Sequence, residues 1–178
     1  MSFECDTASD WLPPLVTLDD CHGDVNAYLE LLYSFFRKDF IDNPIYFNGK
    51  PLRVRRHPMP KGKEKSFWHI LGHDEFQETP DDVERMKRIR WPKAIIVHRG
   101  DALVKVWKEE RRWRLWYNDE YLVVIEERER YVLFITAYTT DYRHTVDKLQ
   151  RSFENAKKAE AASRISETAS DTPSTLGS

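Results

Sequence analysis

His69, a run of arginines and a crowd of hydroxyls are the side chains of this sequence best suited to act on a phosphate. His69 sits in SFWHILGHD at 66–74, and RMKRIRWPKAII at 85–96 strings basic residues together with a tryptophan and a proline. At 131–142 the sequence reads YVLFITAYTTDY, in which an apolar run over 132–135 gives way to Thr136, Tyr138, Thr139, Thr140 and Tyr142. An imidazole titrates near neutral pH, a guanidinium grips phosphate oxygens in pairs, and hydroxyls can orient them. The three segments together point to a phosphate-handling site. The competing reading of the last is plain termination of a core strand, with Thr140 or Asp141 capping the helix that follows.

A net charge of −2 conceals strong segregation. Residues 1–48 hold 2 basic and 9 acidic side chains, 49–118 hold 18 and 10, and 119–178 hold 8 and 11. The basic middle also carries five of the six tryptophans, Trp68, Trp91, Trp107, Trp113 and Trp116. Cations that neutralise phosphates, set beside aromatic faces that stack on unpaired bases, are what a polyanion-binding surface needs. The alternative is a solvated charged surface over buried tryptophans. Apolar runs are too short to span a bilayer, and the N-terminus lacks the basic and apolar regions of an export signal. The expected location is therefore the cytoplasm, with Cys5 and Cys21 reduced. No metal-type cysteine spacing, glycine-rich phosphate loop, nucleophile elbow or kinase signature occurs, and no cofactor is implied.

The elements that must position these groups follow an α+β order. Val25, Tyr28, Leu29, Leu32, Phe36 and Phe40 recur at helical spacing behind a possible Asp24 cap, which predicts a helix over 24–41. Asn48-Gly49 between short β-type runs predicts a hairpin pairing 45–47 with 52–55. The basic loop RRHPMPKGKEK then leads to a short helix over 66–72. Another helix is expected from Thr79 or Pro80, its apolar face made by Val83, Met86, Ile89 and Ile95 or Ile96, with a break near Trp91 because Pro92 follows it. From Leu103 the pattern turns to period two, and LVKVWK, RWRLWYN, YLVVIEE and YVLFITAY predict a four-stranded antiparallel meander. A last helix over 142–161 carries Val146, Leu149, Phe153 and Ala156 in one stripe. The expected fold is thus N-terminal helices on a twisted four-stranded antiparallel sheet with a C-terminal helix. It forms one domain over 1–163, with an irregular arm at 1–23 and a disordered tail at 164–178.

The order of these pieces resembles phage-encoded members of the barnase/EndoU/colicin/RelE-like nuclease superfamily. The resemblance covers roughly 45–157 and rests on His69 in a short helix, Arg88-Ile89-Arg90-Trp91, a strand ending Thr136-Ala137-Tyr138, and Lys148-Leu149 in the final helix. It implies a small nuclease fold with two N-terminal helices against the sheet, and a metal-independent endoribonuclease, toxin-like or phage-encoded, that drives a ribose 2′-hydroxyl onto the adjacent phosphate. RNA is then the substrate, and a neutralising immunity or antitoxin protein is a possible partner.

That chemistry needs proton transfer and cations for the charge that builds on phosphoryl oxygens. His69 is the proton-transfer candidate, Arg88 the phosphate clamp, and Thr136 and Tyr138 the orienting hydroxyls, on one side of their strand by period two. Lys63, Lys65, Arg90 and Trp91 are the substrate-binding candidates. Each also has an ordinary structural reading: His69 half-buried in the core, Arg88 paired with Glu84, Thr136 and Tyr138 as packing. A rival metal site from His69 and His73 lacks the glutamate that a zincin helix requires. The other function class is a non-enzymatic nucleic-acid or protein interaction module with the same fold.

Overall fold

The computed structural model describes residues 9–72 and 80–170. Helix α1 (Val25–Phe36) begins where expected, because the Asp24 carboxylate accepts hydrogen bonds from the amides of Asn26 (2.9 Å) and Ala27 (3.0 Å). Tyr28, Leu32 and Phe36 form its buried stripe. The helix then widens into a π-helical stretch over Arg37–Asp42, which turns Phe40 and Asp39 inward. Phe40 meets Phe36 and Phe134, and Asp39 is neutralised by Lys93 at 3.3 Å.

Strands β1 (Tyr46–Phe47) and β2 (Lys50–Arg53) form the expected hairpin in a tighter register, Tyr46 opposite Pro51 and Phe47 opposite Lys50. Asn48 and Gly49 both take positive φ, which a two-residue primed turn requires and which Gly49 adopts without strain. Helix α2 (Lys65–Leu71) is fixed at its start by the preceding loop. The Arg55 amide donates to the Ser66 hydroxyl (2.8 Å), while the Lys65 and Ser66 amides return to the carbonyls of Arg56 and Arg55. Helices α3 (Pro80–Lys87) and α4 (Trp91–Val97) are separated by a turn, as Pro92 demands; in the first turn of α4 its missing N–H removes no helical bond. Met86, Ile89, Ile95 and Ile96 are buried as expected, whereas Val83 faces out. Thr79, His73 and Cys5 lie outside the described residues; Cys21 is a free thiol.

Strands β3 (Val104–Glu109), β4 (Arg112–Tyr117), β5 (Tyr121–Glu127) and β6 (Val132–Thr139) form the antiparallel meander. The sheet as a whole corrects the four-stranded expectation. It has six strands in the order β1-β2-β6-β5-β4-β3, because β2 lies parallel to β6, with Leu52 opposite Val132 and Arg53 opposite Leu133. The mixed sheet arises because β6, expected at an edge, is an apolar central strand whose outer side must be covered. Lys50 secures the junction, its ammonium reaching Glu127 (2.8 Å) and the Arg128 carbonyl (3.0 Å).

The sheet is packed on both faces. On one, Phe134, Ile125, Val123 and Ala137 join the side chains of α1, α2 and α4 in the main core. On the other, Trp107, Trp116, Leu122 and Val124 receive Leu149, Val146, Phe153 and Ala156 from α5 (Arg143–Ser170), the stripe its spacing indicates. Residues 164–170, expected in a disordered tail, continue this helix. Thr140 caps nothing. Its hydroxyl donates to the Asp119 carbonyl (2.8 Å) and accepts from the Trp116 indole (3.1 Å), and the helix starts three residues later. Among the described residues no helix is long and apolar enough to cross a membrane.

Two stability predictions follow from these bonds. Thr140→Val keeps the shape but strands the buried indole N–H of Trp116, so denaturant unfolding should show a loss of about 1–3 kcal/mol, while Thr139→Val should cost far less. Glu127 is drawn down to about 2 from its ordinary 4.5, first by Lys108 and then by Lys50 and the Trp113 indole. Its ionised form therefore stabilises the fold above the unfolded-state value, and the contribution is lost as pH falls through 4.5 toward 2. Glu127→Gln should lower stability at pH 7 and flatten the acid limb of a pH–melting-temperature curve over that window.

Candidate nucleic-acid interface

The end of β6 is where the expected site should assemble, and a bulge decides what it presents. Val124 stands opposite Thr136, but Ile125 stands opposite Phe134, so Ile135 is an extra residue on β6. Directly opposed residues share a face. Thr136 therefore goes with Val124, and Tyr138 with Leu122, onto the face covered by α5. The two do lie on one side, as period two requires, yet it is not the side of Val132 and Phe134 that unbroken alternation would give them. Burial raises the Tyr138 hydroxyl above its ordinary value, opposed by Arg114 and Arg85.

Helices α2 and α3 both pack against β6. His69 is half-buried on α2, outside the stripe of Phe67, Trp68, Ile70 and Leu71 that enters the main core on the opposite sheet face. Arg88 follows α3 and is committed locally. Its guanidinium pairs with the Glu84 carboxylate, donates to the Glu84 carbonyl (3.0 Å) and lies 4.9 Å from the Trp91 ring centre. Lys87 and Arg88 together lower the Glu84 carboxyl below its usual range. From the helical side it is Arg85 that reaches Tyr138, 5.6 Å over its ring and bonded to the Gly72 carbonyl at 3.2 Å, while Arg114, opposite Val124 on β4, approaches from the sheet. Arg85 and Arg88 both act on the Tyr121 hydroxyl, which burial pushes up and which has no hydrogen-bond partner among the described residues. Arg85 was legible only as one member of RMKRIR, and Tyr121 as a core strand residue.

The substrate-binding candidates are placed less favourably. Lys63 is held between Glu30 (2.7 Å) and the Tyr33 ring (4.5 Å) with only 13% of its side chain exposed. Arg90 lies over Phe35 at 4.7 Å, its Nε buried. Lys65 is half-buried at the start of α2. Trp91 is a core residue: its indole donates to the Pro13 carbonyl (3.0 Å) and its ring packs against Tyr117 and Tyr121. The other tryptophans follow suit. Trp68, Trp107 and Trp116 are buried, and Trp113 is half-buried with its N–H on Glu127. The tryptophans of the basic block therefore serve the two cores and offer no stacking platform.

What the basic block does offer is a strip along β2 and the loop after it. Arg53, Arg55, Arg56, His57 and Lys61 are all exposed; Arg53 lies 5.9 Å over the Tyr131 ring and Lys61 5.6 Å over the Trp68 ring, and among the described residues none of the four Arg and Lys side chains is ion-paired. Elsewhere in the block many cations are ion-paired, Lys50 and Lys108 with Glu127, Lys93 with Asp39, Lys105 with Asp119, Arg112 with Glu126 and Arg114 with Glu109, although Arg111, at the turn between β3 and β4, is also exposed. The sequence marks this loop as basic, and the candidates it offers there are Lys63 and Lys65 at its end, not the arginines at its start. Family models, curated proteins and solved structures yield no match to this chain.

The two roles of the β6 hydroxyls can be separated. Thr136→Val keeps the β-branched shape among Val124 and the α5 side chains, so its melting temperature should equal or slightly exceed the parent's. A cleavage rate measured on the same sample tells whether the hydroxyl orients phosphate: a normal fold with much slower cleavage assigns it that role, and unchanged cleavage removes it.

Proposed function

We propose that the protein binds nucleic acid, RNA in the first instance, through the strip formed by Arg53, Arg55, Arg56 and Lys61. The observation that carries this reading is the contrast in charge pairing. Nine of the block's eighteen cations have acidic partners among the described residues, while these four are exposed on one continuous segment with no acidic partner there. Guanidinium groups stay protonated at any working pH and take phosphate oxygens two at a time. Affinity should fall with salt at a slope of roughly −0.7 per phosphate contacted in a single strand, hence about −3 if all four engage. Charge reversal of Arg53, Arg55 and Arg56 should weaken binding far more than reversal of Lys157 and Lys158. A flat salt response, or equal loss from both sets, would refute the assignment.

The metal-independent ribonuclease implied by the resemblance is a second reading, and with it goes a neutralising protein partner. One observation favours it: Arg85 over Tyr138 at the corner where α2, the helix of His69, and α3 meet β6. On this reading Arg85 takes the clamp role first given to Arg88. Purified protein incubated with total RNA in EDTA should yield mapped cleavage ends, and His69→Ala should slow cleavage by about 10²–10⁴-fold with the fold intact. Intact RNA would leave binding as the whole function.

A further inference from the structure

Beside the basic strip lies a cleft of about 470 Å³. Its walls include Phe40, Ile41, Tyr46 and Val54, and Arg53 and Arg56 stand among its lining. The volume falls within the range of small-molecule pockets, which runs from about 300 to 1,000 Å³. Tyr46 is 59% exposed, whereas the tryptophans of the basic block are covered. Its position follows from the fold. The tight Asn48-Gly49 turn pairs Tyr46 with Pro51 at the rim of the sheet, and the π-helical stretch delivers Phe40 and Ile41 to the same place. The acidic groups nearest in sequence are already spent, Asp39 on Lys93 and Asp42 on Arg37. The cleft thus joins an accessible aromatic ring, an apolar floor and two arginines with no acidic partner among the described residues.

We propose that this cleft receives an unpaired nucleobase stacked on Tyr46 while Arg53 and Arg56 hold the flanking phosphates, so that the protein selects single-stranded over duplex nucleic acid. The inference rests on the nucleic-acid-binding reading and specifies its ligand. Charge complementarity selects a polyanion, and the apolar aromatic pocket selects one that carries a flat, poorly hydrated group between its charges. In an A-form duplex the bases are stacked away from such a ring, leaving only backbone contacts. A base–aromatic stack contributes enough for its loss to weaken binding roughly ten- to hundredfold.

The test uses the full chain in EDTA and 2′-O-methyl oligonucleotides, which lack the attacking hydroxyl. Fluorescence anisotropy compares a single strand, its duplex and an abasic strand of the same length. The single strand should bind at least tenfold more tightly than either. Tyr46→Ala should erase that preference while leaving duplex affinity unchanged, Tyr46→Phe should retain it, and Arg53→Glu with Arg56→Glu should weaken all three ligands. Circular dichroism of each variant checks the fold, which an exposed position such as Tyr46 should preserve. If the parent binds strand, duplex and abasic strand alike, or if Tyr46→Ala binds like the parent, the base-binding cleft is wrong and the nucleic-acid-binding reading stands. If the parent binds none of them, both are wrong.

Discussion

A central strand that is apolar on both faces governs this structure. Along β5 residues 121–125 are all buried, and on β6 Val132, Phe134 and Ala137 are buried on the main-core side, so both faces of the sheet need cover. One side is met by α1, α2 and α4. The other obliges α5 to lie across β3 and to supply Val146, Leu149, Phe153 and Ala156. Four large indoles go into these two cores because a sheet closed on both faces has volume to fill, and each buried indole N–H finds an oxygen at Pro60, Pro13, Ser152 or Thr140. Aromatic residues that looked available for stacking are thereby consumed.

The same closure organises the charges. The acidic flanks of the sequence fold back onto the basic middle: Glu30 on Lys63 and Asp39 on Lys93 from one side, Asp119, Glu126 and Glu127 on Lys105, Arg112 and Lys108 from the other. The more exposed of these pairs add little stability. Their effect is to concentrate the unmatched positive charge on the segment that leaves the sheet after β2. A surplus spread over seventy residues of sequence becomes a local feature of the surface, beside the hairpin that turns Tyr46 outward.

Locally encoded features were legible in the sequence, and non-local ones were not. Asp24 as a helix cap, Asn48-Gly49 as a turn, Pro92 as a break and the α5 stripe each act through neighbours within a few residues, and each stands where the sequence places it. The parallel pairing of β2 with β6 joins residues some eighty positions apart through two residue pairs, and no short-range pattern announces it. Ion pairing is equally invisible: Lys63 and Lys61 read alike as sequence and each lies over a ring, yet Lys63 is paired with Glu30 and largely covered while Lys61 is exposed. The candidate residues on helices were chosen for their chemical type. What separates them from the strip is the partners that folding brought to them.

The bulge at Ile135 shows how one residue redistributes a site. Strict alternation from Val132 would send Phe134, Thr136 and Tyr138 to one face, the main core, among the helices that carry His69. With Ile135 inserted, Val132 and Phe134 keep that face but Thr136 and Tyr138 pass to the side of α5, where Val124 and Leu122 stand opposite them. The hydroxyl pair and the helix of the histidine are thereby assigned to opposite faces of one strand. Arg85 is the side chain seen to span that division, rooted on α3 and lying over the Tyr138 ring. Any chemistry shared by the two groups has to pass around the end of β6, and the exposed basic surface is the strip formed by Arg53 at the end of β2 and the loop after it.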